Sequence, residues 1–162
     1  QSVASNGMAY CYLSAWVFAR LVSVLNFYPM RYKSRVMRGK SGNLRVNQFI
    51  YKLVGEGAGE NAVVLADDGD HGRYNRANRS LNHFLENAGG MMLALILCSY
   101  VFAFPAFICV CGFAFGRIAH QVGYSGEVGY GAHGLGFAVS ALTTEAMVGM
   151  LLLVGLKANG VF

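Results

Sequence analysis

The sequence predicts an all-α membrane protein, a bundle of four transmembrane helices, and three observations carry that prediction. Of 162 residues, 55% are hydrophobic and only 13% are charged, more apolar surface than one water-facing domain of this size hides. Four runs, at about 8–28, 88–104, 106–122 and 134–156, approach the roughly 20 apolar residues that a membrane-crossing helix needs. These runs are uniformly apolar rather than alternating. Backbone amides in lipid are paired within a helix or around a closed barrel, so helices follow and barrel strands do not. One membrane domain over 1–162 is expected.

The first span, MAYCYLSAWVFARLVSVLNFY, is expected to stop at Pro29, where MRYKSRVMRGK supplies an anchor for anionic headgroups. Ten of the thirteen Lys and Arg residues lie between Arg31 and Arg79. This basic loop, 29–75, belongs on the inner side, which puts the first and third connections there and both termini opposite. A net charge of +5 therefore points to membrane lipids as partner rather than nucleic acid, whose binding also calls for aromatic residues among the charges. The chain opens at Gln1 rather than methionine, which raises the expectation of an upstream peptide removed from it.

Within the basic loop a turn is expected at Ser41-Gly42-Asn43. After it, RVNQFIYKLV spaces Val46, Phe49, Ile50, Leu53 and Val54 as one helical face, predicting a short helix lying on the membrane surface. GEGAGE has the glycines of a phosphate loop but neither the lysine nor the preceding strand, and reads as a linker. ADDGDHG lacks the closing glutamate of a calcium loop and reads as a polar turn. No metal site is expected.

Pro105 between the second and third runs implies a very tight connection. The third connection, QVGYSGEVGYGAHG, is glycine-rich. Gly134, Ala138, Ala141 and Gly149 give the fourth span small-residue faces that let helices approach closely. Cys11, Cys98, Cys109 and Cys111 all fall within spans without zinc spacing, and read as packing residues.

Two polar rows interrupt this apolar plan. At 100° per residue, Arg76, Arg79, His83 and Glu86 fall within about 80° of one another, with Asn82 at the border. Arg117, His120 and Tyr124 fall within about 60°. Both rows lie at the inner boundary, where they suit a polyanionic small molecule, arginines on its carboxylates and Glu86 on its ammonium group. Arg20 and Glu145 are charges inside spans at nearly the same depth, predicting an intramembrane ion pair between the first and fourth helices, within one subunit or across an interface.

RANRSLNHFLEN, with Arg76, Arg79 and Glu86 at its spacings, RIAHQVGY, with Arg117, His120 and Tyr124, and the flanking LADDGD and HGLGF together resemble the MAPEG family, the membrane-associated proteins in eicosanoid and glutathione metabolism. The resemblance covers roughly 67–137 by motif and the whole chain by its four spans. It implies glutathione as cosubstrate, held by Arg76, Arg79, Asn82, His83, Glu86, Arg117, His120 and Tyr124, and a homotrimer with glutathione between neighbouring subunits at the inner membrane face. It is consistent with an endoplasmic reticulum or organellar inner membrane alike.

Several positions depart from the family pattern. His83 stands where the family has asparagine, with Asn82 one place early; Leu81 replaces Gln or His, and Gly89 a common proline. The arginine that opens the fourth helix and steadies the thiolate in some members is His133. A thiol has a pKa of about 8.5, and a fixed cation or donor near sulfur lowers it. Arginine is always charged; histidine is not. His133, Tyr124 or Tyr130 is left to act on the thiol.

Two function classes follow. One is a glutathione-dependent transferase or peroxidase acting on lipophilic electrophiles or lipid hydroperoxides, with His133 and Tyr124 as catalytic residues. The other is a noncatalytic MAPEG-like subunit built with other proteins into a larger membrane assembly. A transporter or channel fits less well, since no span is interrupted at its midplane.

Overall fold

The computed structural model describes residues 7–37, 48–55 and 61–161. Four helices, α1 (Met8–Met37), α2 (Gly69–Val101), α3 (Ala103–Ser125) and α4 (Gly134–Ala158), form the bundle. Each is long and apolar enough to cross a membrane, and the chain is an integral multi-pass protein. Between α1 and α2 lies a hairpin of β1 (Tyr51–Gly55) and β2 (Asn61–Leu65).

Helix α1 does not stop at Pro29 but continues to Met37. Proline removes one backbone donor, yet Pro29 is fully buried in the packed face that Ser14, Phe18, Leu21 and Leu25 begin, and the helix carries on through it. That face, spaced by three and four residues, is the stripe a helix presents to a bundle. Phe18 meets Phe84 of α2 at 6.1 Å and Phe113 of α3 at 6.4 Å between ring centres. In lipid such contacts hold the bundle by packing, since tails are as apolar as the side chains they replace.

Helix α2 begins at Gly69, nineteen residues before its apolar run at 88, so the whole charged stretch is helical. Phe102 alone joins α2 to α3, and Pro105 sits in the first turn of α3, where its missing donor costs no bond. Helices α3 and α4 form the closest seam. A β-carbon on Gly136 would lie 2.2 Å from the His120 nitrogen, and one on Gly116 would lie 2.6 Å from the Ser140 nitrogen. Only glycine admits this approach. The small residues the sequence singled out are elsewhere: Gly134, Ala138 and Gly149 are exposed, and Ala141 is half-buried. Cys98 is buried and Cys11, Cys109 and Cys111 are half-buried free thiols, Cys98 donating to the Met147 carbonyl.

The surface helix expected over RVNQFIYKLV is not formed in its described part: Gln48, Phe49 and Ile50 are irregular and Tyr51 begins the first strand of the hairpin. Tyr51–Gly55 pairs antiparallel with Asn61–Leu65, Tyr51 opposite Leu65 and Val54 opposite Ala62. A short apolar run satisfies either period, and the β-branched Val54, Val63 and Val64 favour the strand once a second run is there to pair with. Asn75 of α2 docks the hairpin: its amide accepts from the Ile50 N–H at 2.8 Å and donates to the carbonyls of Ile50 and Ala66. Lys52 caps the same end on Asp67 and Asp68. These contacts hold the Asp67 carboxyl below its ordinary pKa, chiefly through the hydrogen bond from Lys52, and raise that of Lys52, chiefly through Asp67. The expected turn at Ser41-Gly42-Asn43, Val46, and the GEGAGE linker beyond Gly55 lie outside the described residues.

Candidate functional site

The two polar rows meet at the end of the bundle where α3 finishes and α4 starts, but not in the way their spacing predicts. Arg117 of α3 is only 4% exposed. Its Nη2 donates to the Ser80 carbonyl at 3.0 Å, and its Nη1 lies 3.3 Å from His83 Nδ1. Its Nε is buried without a partner. No carboxylate pairs with Arg117 among the described residues. A buried cation without a counter-anion is costly in a low-dielectric surrounding, and an anion at this position would relieve that cost.

A turn further along α3, His120 Nδ1 lies 2.9 Å from Ser80 Oγ. The His120 ring stacks on Tyr124 at 5.3 Å and meets His133 edge-on at 5.1 Å. Tyr124 and His133 stand 5.1 Å apart, also edge-on. His83 completes the group, 5.8 Å from His120 and 6.3 Å from Phe137. His133 Nδ1 is buried without a partner. His133 is also the N-cap of α4, whose first N–H groups and dipole favour negative charge at that end. The close approach at Gly136 is what brings this helix start against His120. Five predicted residues, His83, Arg117, His120, Tyr124 and His133, are thus brought together.

The other predicted ligands divide. Arg76 is buried and each of its three guanidinium nitrogens donates to backbone: Nη1 to the Asp67 carbonyl, Nε to Tyr124 and Nη2 to Gly126, at 2.8, 3.1 and 3.0 Å. It ties the turn before α2 and the turn after α3 to α2. Arg79 and Glu86 pair with each other at 3.4 Å on the outer surface of α2, each just over half exposed. Asn82 is half-buried and outside the groove described next. The α2 row straddles the edge of the packed face, which a spread of about 80° permits and a projection alone does not reveal.

From His83 and Arg117 a groove of about 460 Å³ runs outward between α2 and α4, over Phe113 of α3, past Met91 and Ser140 to Glu145 and Leu151. Its lining is mostly apolar, and it gives the site a lateral face toward lipid. Ser80, Gln121 and Asn87 belong to this region but were not predicted from sequence. Gln121 donates to the Ala77 carbonyl and Asn87 to the His83 carbonyl. A small polar residue inside a helix gives no pattern of its own, so only the fold reveals it. No cluster of three or more His, Cys, Asp or Glu residues is arranged to hold a metal among the described residues.

Arg20 and Glu145 do not pair within the chain. Both are exposed, and α1 lies against α2 and α3 while α4 lies against α3 and, less, α2.

The family model of MAPEG matches residues 8–153. The chain belongs to the MAPEG family. That membership assigns a membrane protein of glutathione and eicosanoid metabolism to this four-helix bundle, and the polar cluster of this MAPEG protein lies inside the matched region. Neither curated proteins nor solved structures give a match to the chain.

Proposed function

We propose that the inner end of this MAPEG bundle binds glutathione and joins its thiolate to lipophilic electrophiles with loss of their leaving group, or uses two glutathiones to reduce a lipid hydroperoxide to the alcohol and water with formation of glutathione disulfide, the second substrate entering along the α2–α4 groove. The observation that carries the reading is the buried, unpartnered Nε of Arg117 at the head of an apolar groove. Arg117 takes a carboxylate of the peptide. The exposed Arg79 and Glu86 offer a second cation and an ammonium partner at the rim. His133, at the positive end of α4, and Tyr124 beside it supply donors to the sulfur, lowering the thiol pKa so that thiolate is present at neutral pH. The site groups work on glutathione as cosubstrate; in the homotrimer this reading favours, a neighbouring copy completes the pocket.

A noncatalytic subunit within a larger membrane assembly is the second reading. Two observations favour it: Arg76 is committed to backbone carbonyls, and the hairpin exposes Leu53 and Val63 on a surface that no element among the described residues covers. Conjugation of glutathione to a lipophilic aryl halide by the purified protein in detergent separates the two. Turnover above the spontaneous rate, reduced about tenfold or more in His133→Gln or Tyr124→Phe, supports the enzyme; binding of glutathione without turnover in any membrane-mimetic supports the scaffold.

A further inference from the structure

We propose that the β1–β2 hairpin is a membrane-surface element, its face of Tyr51, Leu53, Val63 and Leu65 set into an anionic lipid surface beside the end of the bundle where α3 finishes. Tyr51 stands opposite Leu65 and Leu53 opposite Val63, so these four side chains leave the ladder on one side. All four are exposed, Leu53 by 65% and Val63 by 67%. The other side carries Lys52, Val54, Ala62 and Val64, and there Lys52 is ion-paired with Asp67 and Asp68. A continuous apolar face of this kind marks a surface for another apolar phase, and the ion-paired side is the one left toward water.

The depth of the hairpin fits that placement. Gln121 of α3 donates to the Ala77 carbonyl of α2 at 3.0 Å, so Ala77 is level with the last turn of the apolar run that ends near 122. Asn75, which holds Ile50 and Ala66 at the root of the hairpin, lies two residues beyond Ala77. At about 1.5 Å per residue that is about 3 Å past the end of the apolar run. A headgroup layer is roughly 5 to 8 Å deep. The root of the hairpin therefore sits within that layer, where a ladder lying along the surface reaches the acyl boundary with one face.

Charge on α1 selects the lipid. Tyr10 of α1 meets Phe104 of α3 and Phe18 stacks on Phe113, so the two helices run in the same direction and Pro29 is level with Tyr124. Arg31, Lys33 and Arg35 follow about 3 to 9 Å further out, at headgroup depth. None of the three is ion-paired among the described residues, and Arg31 and Arg35 are exposed. Arg35 lies over the Tyr32 ring at 5.8 Å, an aromatic of the kind that settles at a membrane boundary. Cations at the level of an exposed apolar face make the two halves of an interfacial site: the face takes acyl chain and the cations take anionic headgroups.

The test reads indole fluorescence of the full chain in vesicles of phosphatidylcholine and phosphatidylglycerol that contain no other protein, with the single native tryptophan removed by Trp16→Phe. Leu53→Trp is expected to emit to the blue of an indole in water, and to be quenched about twofold or more when the phosphatidylcholine is brominated near the top of its acyl chain. Val63→Trp is expected to behave alike, and Ala62→Trp, on the ion-paired side, to be quenched less. In vesicles of phosphatidylcholine alone the quenching of Leu53→Trp is expected to fall. Emission as in water without quenching, in both Leu53→Trp and Val63→Trp, overturns the proposal and leaves the face to a protein partner. Equal quenching of Leu53→Trp and Ala62→Trp overturns the sided insertion, and equal quenching in the two kinds of vesicle overturns the role of the cations. Glutathione enters none of these readouts, so a failure of the glutathione reading leaves the result interpretable.

Discussion

Arg76 donates from Nε to the Tyr124 carbonyl at 3.1 Å, binding α2 to the last turn of α3 directly beneath the His120–Tyr124–His133 cluster. The same guanidinium holds Asp67 before α2 and Gly126 after α3. Arg76→Ala strands three carbonyls, one of them beside the cluster. The expected loss is about 3 kcal/mol of stability, the scale of removing charged hydrogen bonds from part-buried acceptors, read as a lowered thermal midpoint in detergent. Arg76→Lys recovers only part, because one ammonium does not reproduce the planar fork.

Gly136→Ala places a methyl 2.2 Å from the His120 backbone nitrogen. Helices α3 and α4 must separate, with a cost of about 1–3 kcal/mol for overpacking. The separation moves His133 away from His120, so glutathione turnover is expected to fall further than stability alone explains. Gly149→Ala, where nothing lies within 4 Å in the chain, leaves the monomer fold unchanged.

Asn75→Ala removes the amide that holds Ile50 and Ala66. The hairpin then loses its dock on α2 while the bundle persists. Hydrogen exchange is expected to accelerate in 51–55 and 61–65 and to stay unchanged in α3.

The Lys52 tether sets a pH window for that hairpin. Asp67 titrates below its ordinary 3.8 when docked, so its contribution is present above that value and lost as pH falls through the depressed one. Lys52 titrates above its ordinary 10.5, so its contribution is present below that value and lost as pH rises through the raised one. Hairpin exchange protection is expected to be flat between the two and to decline on either side. Lys52→Met abolishes both edges.

The sequence made the four spans legible because apolar length is a property of the chain itself. The tight turn at Pro105 and the convergence of Arg117, His120 and Tyr124 were legible for a similar reason: a row within about 60° on one helix faces one neighbour. Arg76 was not, since a guanidinium on backbone carbonyls looks the same in sequence as one awaiting a ligand. The strand at 51–55 was hidden because its pairing partners lie six to fourteen residues away, across a linker whose composition says nothing about register. Arg20 and Glu145 were legible as charges inside spans, but not as unpaired with each other, because their distance depends on the layout of the bundle, in which α1 and α4 stand apart.

Calorimetry with glutathione bears most directly on the claim that Arg117 is a buried cation awaiting a carboxylate. Saturable binding to the wild type is expected, weakened about tenfold or more in Arg79→Ala and about a hundredfold in Arg117→Gln, the range expected when a charge-assisted contact to a carboxylate is lost. The diester of glutathione, with both carboxylates capped, should bind no better to the wild type than to Arg117→Gln. No heat with glutathione, or equal affinities for the free acid and the diester, would contradict the account.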